Sequence, residues 1–295
     1  MSALGTTAAP AAPAAVVIAA PSAWRRATRS GGLAIGSVLV AVIALLAVLA
    51  PWISPYDPDA QDVLMKLEPP SAEHWFGTDA FGRDVLSRVI WGARVSLFVG
   101  TVATLAGVLV GTVIGIVSGY YGGIVDKLIT AATDVLLSFP QLIMGLILVA
   151  VLGPSLFNLI LAIAITAVPA FIRVARGSTL AMKERDFVDA CRALGYSDLR
   201  IMFLHVLPNI MDEVVVMGSL WLAAAIRTES TLAFIGLGVP PPTATWGGII
   251  REGFDNLLDA PWLSVFPSLA ILAVMIALNL IGDGLRDATD PRAPQ

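Results

Sequence analysis

Apolar residues gather along the chain in six long runs, at about 33–53, 96–118, 128–151, 156–174, 210–236 and 263–282. Each is close to or above the ~20 residues that an α-helix needs to cross a hydrocarbon core. The pattern predicts an all-α integral membrane protein, a bundle of six spans. Between the first two runs lies a polar segment, 54–95, rich in Pro, Asp and Trp. Between the fourth and fifth lies the most charged stretch, 175–209. The link 237–262 opens with Gly238-Val239-Pro240-Pro241-Pro242, which cannot begin as a helix. The predicted organisation is a tail over 1–32, a first span with an outer segment over 33–95, a core of spans over 96–282, and a tail over 283–295.

Composition agrees. The chain is 57% hydrophobic and 14% charged, against roughly 25% charged in soluble domains. The deficit is explained if much of the surface faces lipid, where charge is expensive. A net charge of −4 gives nucleic-acid binding no electrostatic support. Cys191 is the only cysteine, which excludes an intramolecular disulfide and a cysteine-cluster metal site. The first 23 residues are uncharged and rich in Ala and Pro, as in a disordered tail. Arg25, Arg26 and Arg29 then precede the first apolar run. That run, at 21 residues, exceeds a signal-peptide core and favours an uncleaved signal-anchor helix.

Lys and Arg set the expected orientation. With the N-terminus inside, twelve fall on the cytoplasmic segments and five on the outer ones, Arg227 lying within a span. Both termini are expected in the cytoplasm. Arg83, Arg88 and Arg94, just before the second span, depart from the rule. Gly107, Gly111, Gly115 and Gly119 share one face of that span and permit close approach of another helix, in this subunit or a partner. Pro140 and Pro169 interrupt the third and fourth spans, where a kink is expected.

Ionisable residues inside spans point to function. Arg227 and Glu229 occupy the fifth span, roughly 25–30 Å along it from Asn209 at ~1.5 Å per residue. Two positions apart, they do not face each other. They are candidates for a pathway or gate, with a structural role as the alternative. Asp79, Arg83 and Asp84 read as a hydrogen-bonded outer cap. His74 and His205, predicted on opposite sides of the membrane, cannot share a metal site or a catalytic dyad.

The segment 182–208 carries the most chemistry. Residues 184–194 suit a helix, Gly195 suits its end, and Ser197 suits the cap of a second helix ending near Pro208. Phe187, Ala190, Cys191 and Leu194 fall on one face by 3–4 spacing. Such a knob can enter a groove on a partner or pack on its own spans.

Asp186-Phe187-Val188-Asp189-Ala190-Cys191-Arg192-Ala193-Leu194-Gly195, followed by His205-Val206-Leu207-Pro208-Asn209, resembles the EAA loop of bacterial binding-protein-dependent ABC importer permeases. Asp189 stands where that family has Glu, and Cys191 where it has Ala. Other stretches resemble the C-type subunit of the dipeptide/oligopeptide/nickel branch. They are Trp75-Phe76-Gly77-Thr78-Asp79 to Arg88, Gly92-Ala93-Arg94-Val95-Ser96-Leu97, Ser118-Gly119-Tyr120-Tyr121-Gly122-Gly123, Glu229-Ser230-Thr231-Leu232-Ala233-Phe234-Ile235-Gly236-Leu237-Gly238 and the tail Gly282 to Pro291.

The resemblance implies a six-span permease of the type I importer kind in the bacterial plasma membrane. It implies a second homologous permease subunit, two ATPase subunits that hold ATP and Mg, and an external solute-binding protein. It makes Asp186, Phe187, Asp189, Ala190, Cys191, Ala193, Leu194, Gly195, His205, Leu207 and Pro208 the ATPase-coupling residues. The implied cargo is a dipeptide or oligopeptide, or alternatively a nickel or other metal chelate or a glutathione-like solute. Lys66, Lys127 and Lys183 follow Met65, Asp126 and Met182, so none completes a phosphate-binding Gly-Lys-Ser/Thr motif. No cofactor is expected on this chain. A stand-alone secondary transporter would place ion-coupling residues near the bilayer midplane, often with internal repeats, and neither is evident. An intramembrane zinc hydrolase would want His-Glu-x-x-His, which is absent.

Overall fold

A computed structural model describes residues 31–289. The expected disordered N-terminal tail, up to residue 30, and the last six residues lie outside this range. The elements are α1 (Gly31–Ile53), α2 (Val85–Tyr121), α3 (Gly123–Ser138), α4 (Gln141–Leu152), α5 (Leu156–Lys183), α6 (Asp186–Ala193), α7 (Asp198–Ile235), α8 (Trp246–Phe254) and α9 (Trp262–Thr289). No strand occurs among the described residues; Thr78 and Asp84 form one isolated antiparallel bridge.

α1, α2, α5, α7 and α9 are each long and apolar enough to cross a membrane; α3 and α4 together are long and apolar enough for a sixth crossing, bent by 90°, or for a re-entrant loop. The third expected span, 128–151, is therefore not one helix. It breaks at Phe139-Pro140, where Phe139 is extended at ψ 135°. The proline ring excludes helical backbone at the residue before it and removes a donor. Pro169, by contrast, lies inside α5 without ending it.

Other boundaries move outward. α2 starts at Val85, eleven residues before the apolar run, because Asp84 caps it: its Oδ2 accepts from the Ser87 backbone N–H at 2.8 Å and from the Ser87 hydroxyl at 2.6 Å. At about 1.5 Å per residue its 37 residues span some 55 Å, well beyond a ~30 Å core. The second short helix of 182–208 does not end near Pro208 as expected. It continues as α7 through a π-helical turn at Ile201–Val206.

The four glycines of α2 meet α5 of the same chain. A Cβ at Gly107 would lie 2.6 Å from Ala167 Cβ; at Gly111, 2.5 Å from Phe171 Cβ; at Gly115, 2.6 Å from the Ile172 carbonyl; at Gly119, 2.8 Å from the Arg176 carbonyl. The stripe is an internal seam where two backbones touch. Three apolar clusters surround it. One joins α1, α2, α7, α8 and α9; a second joins α2, α4, α5 and α7; the third gathers Ile116, Tyr120, Ala175, Val188, Cys191 and the start of α7.

α8 was not among the predicted elements, because Gly247, Gly248 and Gly253 weaken its helical signature. Those glycines seat it. Gly253 lies under Leu263 and Gly247 against the Ser230 backbone, while Trp246 Nε1–H donates to the Val89 carbonyl at 3.0 Å.

Candidate functional site

α6 and the start of α7 cross one end of the bundle. α6 closes in a Schellman turn: Tyr196 N–H donates to the Cys191 carbonyl at 3.1 Å and Gly195 N–H to that of Arg192 at 2.9 Å. Gly195 takes φ +76° with open space around it, so backbone conformation alone calls for glycine. Ser197 sits at the start of α7 as expected, although its side chain makes no capping bond.

The expected apolar face of α6 is rotated. Val188 and Cys191 are buried and Phe187 half-buried, but Ala190 and Leu194 are exposed. Val188 and Cys191 are three residues apart, and Phe187 is four from Cys191, so the inward stripe centres between Cys191 and Val188. Ala190 falls outside it and Leu194 sits at the terminal turn. The buried stripe packs on Ile116 and Tyr120 of α2, Ala175 of α5, and Ile201, Met202 and Val206 of α7.

Polar contacts fix the same assembly. Tyr120 donates its hydroxyl to Asp198 Oδ1 at 2.8 Å, with the Arg192 guanidinium over its ring. Arg192 pairs with Asp189 at 3.0 Å. Tyr196 stacks on His205, and the Arg200 guanidinium lies over the Tyr196 ring, 4.2 Å from its centroid. Asn209 donates its side-chain amide to the His205 carbonyl at 2.6 Å. Tyr120, Val188, Tyr196 and Asp198 were not among the residues singled out as coupling residues. Only the Ser118-Gly119-Tyr120-Tyr121 motif hinted at the first.

The opposite side of the assembly is open. Asp186, Asp189, Ala190, Ala193, Gly195 and Pro208 are exposed, while His205 and Leu207 are half-buried. Leu194, Leu199 and Leu204 are 71%, 64% and 61% exposed. Small, acidic and large apolar side chains are thus exposed on a loop held from beneath by its buried contacts.

Arg227 and Glu229 part company on α7. Arg227 is exposed and makes no side-chain bond among the described residues. Glu229 is fully buried, with Ser230 donating to its Oε2 at 3.2 Å and Oε1 left without a partner. At the α8 end of the bundle, Asp79 accepts from Arg83 at 2.6 Å and Arg88 at 2.7 Å, and both guanidiniums also reach Glu252, at 3.0 and 3.1 Å. Two acids and two bases balance, which offsets the cost of burying Asp79 and both arginines. Asp84 caps α2 and accepts from His74 at 2.9 Å. Asp79, Arg83 and Asp84 therefore form the expected hydrogen-bonded cap, joined by His74, Arg88 and Glu252. Among the described residues no cluster of His, Cys, Asp and Glu suits a metal ion.

The family of binding-protein-dependent transport system inner membrane components has a model that matches residues 111–294, which takes in the seam from Gly111 on, the α6 loop and α7 to α9. The chain belongs to this family. It is a permease subunit of an ABC importer and a multi-pass membrane protein. Residues 22–70 of the permease match the N-terminal transmembrane domain of oligopeptide transport permease C. The permease is 44% identical over 269 residues to a putative peptide transport system permease protein of Brucella suis biovar 1, covering 91% of this chain and 90% of that one. It is 42% identical over 270 residues to the glutathione transport system permease protein GsiD of Escherichia coli O157:H7, covering 91% and 89%. Its fold is similar to that of a chain in an inward-facing MetNI methionine ABC transporter, with TM-score 0.56 and 16% identity over 69% of this chain and 97% of that one.

Proposed function

We propose that this permease forms half of a pathway that imports peptides across a bacterial plasma membrane, and that α6 with the start of α7 couples it to a separate ATPase subunit. The observation that carries the coupling role is the division of α6 into two faces. Val188 and Cys191 lock it to the bundle, while Asp189, Ala190 and Leu194 lie open, as do Leu199 and Leu204 at the start of α7. A rigid knob with an apolar, small-residue surface suits a partner's groove, and movement of the knob would be passed directly to α7.

In this reading the two ATPases hold ATP and Mg, a second permease completes the pathway, and a solute-binding protein delivers cargo from outside. This chain hydrolyses no ATP itself. The α6 end and both termini face the cytoplasm, as the Lys and Arg asymmetry requires. Arg227 and Glu229 belong to the pathway or its gate, Arg227 facing it and Glu229 buried within the bundle. The relatives named for peptide and for glutathione transport both support a cargo of peptide chemistry. Glutathione, a γ-linked tripeptide, is the second reading.

The test is co-purification with the ATPase subunits and peptide-stimulated hydrolysis. Ala190→Trp overpacks the proposed contact by about 1–3 kcal/mol, and Asp189→Lys reverses a charge in it. Both are expected to insert and pair with the second permease, yet lose the ATPases or uncouple hydrolysis. Wild-type association, stimulated hydrolysis and uptake in both would overturn the coupling role. Competition between unlabelled glutathione and simple dipeptides for uptake by the complete importer separates the two cargoes.

A further inference from the structure

A cavity of about 390 Å³ opens at the α8 end, between the turn that ends α7, the turn before α5, and α8. That volume lies within the ~300–1,000 Å³ of small-molecule sites. Four ionisable side chains line it: Arg88, Arg251, Glu252 and Asp255. Their partners differ. Glu252 is already engaged by both Arg83 and Arg88. Arg88 is 2% exposed, uses its two terminal nitrogens on Asp79 and Glu252, and keeps a buried Nε–H with no acceptor. Arg251 is exposed and has no polar partner among the described residues, and the same is true of Asp255.

Arg251 is nonetheless held in place. Gly236 sits at φ +96° with the Arg251 guanidinium against its Cα, where any Cβ would collide with it. Its position comes from packing on a glycine turn, not from an ion pair. Gly238 and Gly248 also line the wall. The cavity thus offers one presented guanidinium and one unpaired carboxylate. An isolated anion would meet Asp255 and Glu252 at the same mouth, whereas a zwitterion satisfies both signs.

We propose that this cavity is a reading site for the charged ends of the transported peptide. Arg251 takes the C-terminal carboxylate, and Asp255 takes the α-ammonium. The site rests on the peptide-import reading given above, and deepens it by naming what this subunit recognises. It makes the permease a second point of selection after the solute-binding protein.

The experiment uses the complete importer in proteoliposomes with its binding protein. Uptake is measured for a labelled dipeptide, its C-terminal amide and its N-acetyl form, with wild type, Arg251→Gln, Arg251→Lys and Asp255→Asn. The binding protein's own preferences are the same throughout and cancel in each variant-to-wild-type ratio. Loss of a charge-assisted bond corresponds to about tenfold or more. Arg251→Gln is expected to lower kcat/KM for the free dipeptide about tenfold and to leave the amide within about twofold. Arg251→Lys should restore part of the loss. Asp255→Asn should show the mirror pattern, spared only with the N-acetyl peptide. If wild type imports the dipeptide and Arg251→Gln lowers free and amidated forms equally, or neither, the site is wrong while the importer reading stands. If wild type imports none of the three peptides, the cargo reading fails and takes the site with it.

Discussion

The α2–α5 seam allows the sharpest test of what holds this bundle together. Lipid is as apolar as the helices, so hydrophobic burial drives their association weakly and close packing matters most. Replacing Gly111 by alanine places a methyl 2.5 Å from Phe171 Cβ and 2.7 Å from the Val168 carbonyl; at Gly115 the methyl meets the Ile172 carbonyl at 2.6 Å and Ala175 Cβ at 2.8 Å. Ordinary contacts need ~3.5–4.0 Å, so the two backbones must part by about 1 Å. Helix backbone cannot swing aside as a side-chain tip can. Overpacking of this kind costs about 1–3 kcal/mol. Alanine is intrinsically better in a helix than glycine by about 1 kcal/mol, which offsets part of the loss.

Gly177 supplies the control. It lies in α5, exposed, with nothing within 4 Å of where its Cβ would be. Gly177→Ala gains the propensity without the clash. The difference between Gly111→Ala or Gly115→Ala and Gly177→Ala therefore isolates the overpacking, about 1–3 kcal/mol. At ~2–4 °C per kcal/mol that is a gap of about 2–12 °C in apparent Tm, measured by loss of the monodisperse peak after heating in detergent. The Gly111→Ala/Gly115→Ala pair should cost less than the two singles together, since one separation relieves both clashes. Single variants that melt at or above Gly177→Ala would refute the reasoning.

What was legible in the sequence follows from what each signal measures. Apolar run length located the five long helices that can cross a membrane among the described residues, because lipid exposure imposes it directly. It misplaced the ends of α2 and α7, because polar helix beyond the bilayer carries no such constraint; only the Asp84 cap marked the true start of α2. Pro140 marked a kink in the third apolar run, but hydropathy is blind to backbone and did not show that the helix breaks there and turns by 90°. Glycine spacing gave the seam's face but not its partner, since a stripe on one helix does not say which other helix fills it. For the α6 loop, motif resemblance placed the segment, and helical period nearly placed its faces. Tyr120 and Asp198, which fasten the loop, are 78 positions apart, and nothing local joins them. The α8 cavity was invisible for the same reason: Arg88 and Arg251 are 163 positions apart and line one cavity only in the fold.

Asp79→Ala should leave Arg83 and Arg88 buried with half their acid partners removed, a loss of about 3–5 kcal/mol, seen as a sharp fall in detergent-extracted monodisperse yield; near wild-type yield would count against the cap as a structural core. Gly195→Asn should be tolerated and Gly195→Val should cost about 1–2 kcal/mol in the loop alone, read as faster protease cleavage between α6 and α7; equal cleavage would mean the turn is not under backbone strain. Glu229→Leu should impair transport more than Glu229→Gln at equal expression, because the amide can keep the Ser230 contact; equal transport by both would remove Glu229 from the pathway or gate. The last expectation concerns Pro208. A proline in a regular helix removes the bond to the carbonyl four residues back and clashes with it, at ~3 kcal/mol. The π-turn at Ile201–Val206, with Leu207 N–H bonded five residues back to Met202, widens the helix where the Leu204 carbonyl would clash. Relaxing that turn to α-helix would rotate Ile201, Met202 and Val206 out of a core in which all three are buried. Each such side chain is worth about 1.5–3 kcal/mol, so together they outweigh the ~3 kcal/mol that proline removal releases. The π-turn should therefore persist in Pro208→Ala. In a Cys191→Ala background, a cysteine introduced by Met202→Cys should stay shielded from a thiol reagent with either residue at 208. Rapid labelling only with alanine there would show that the proline, not the core, holds the turn, and that the register between loop and span is set locally.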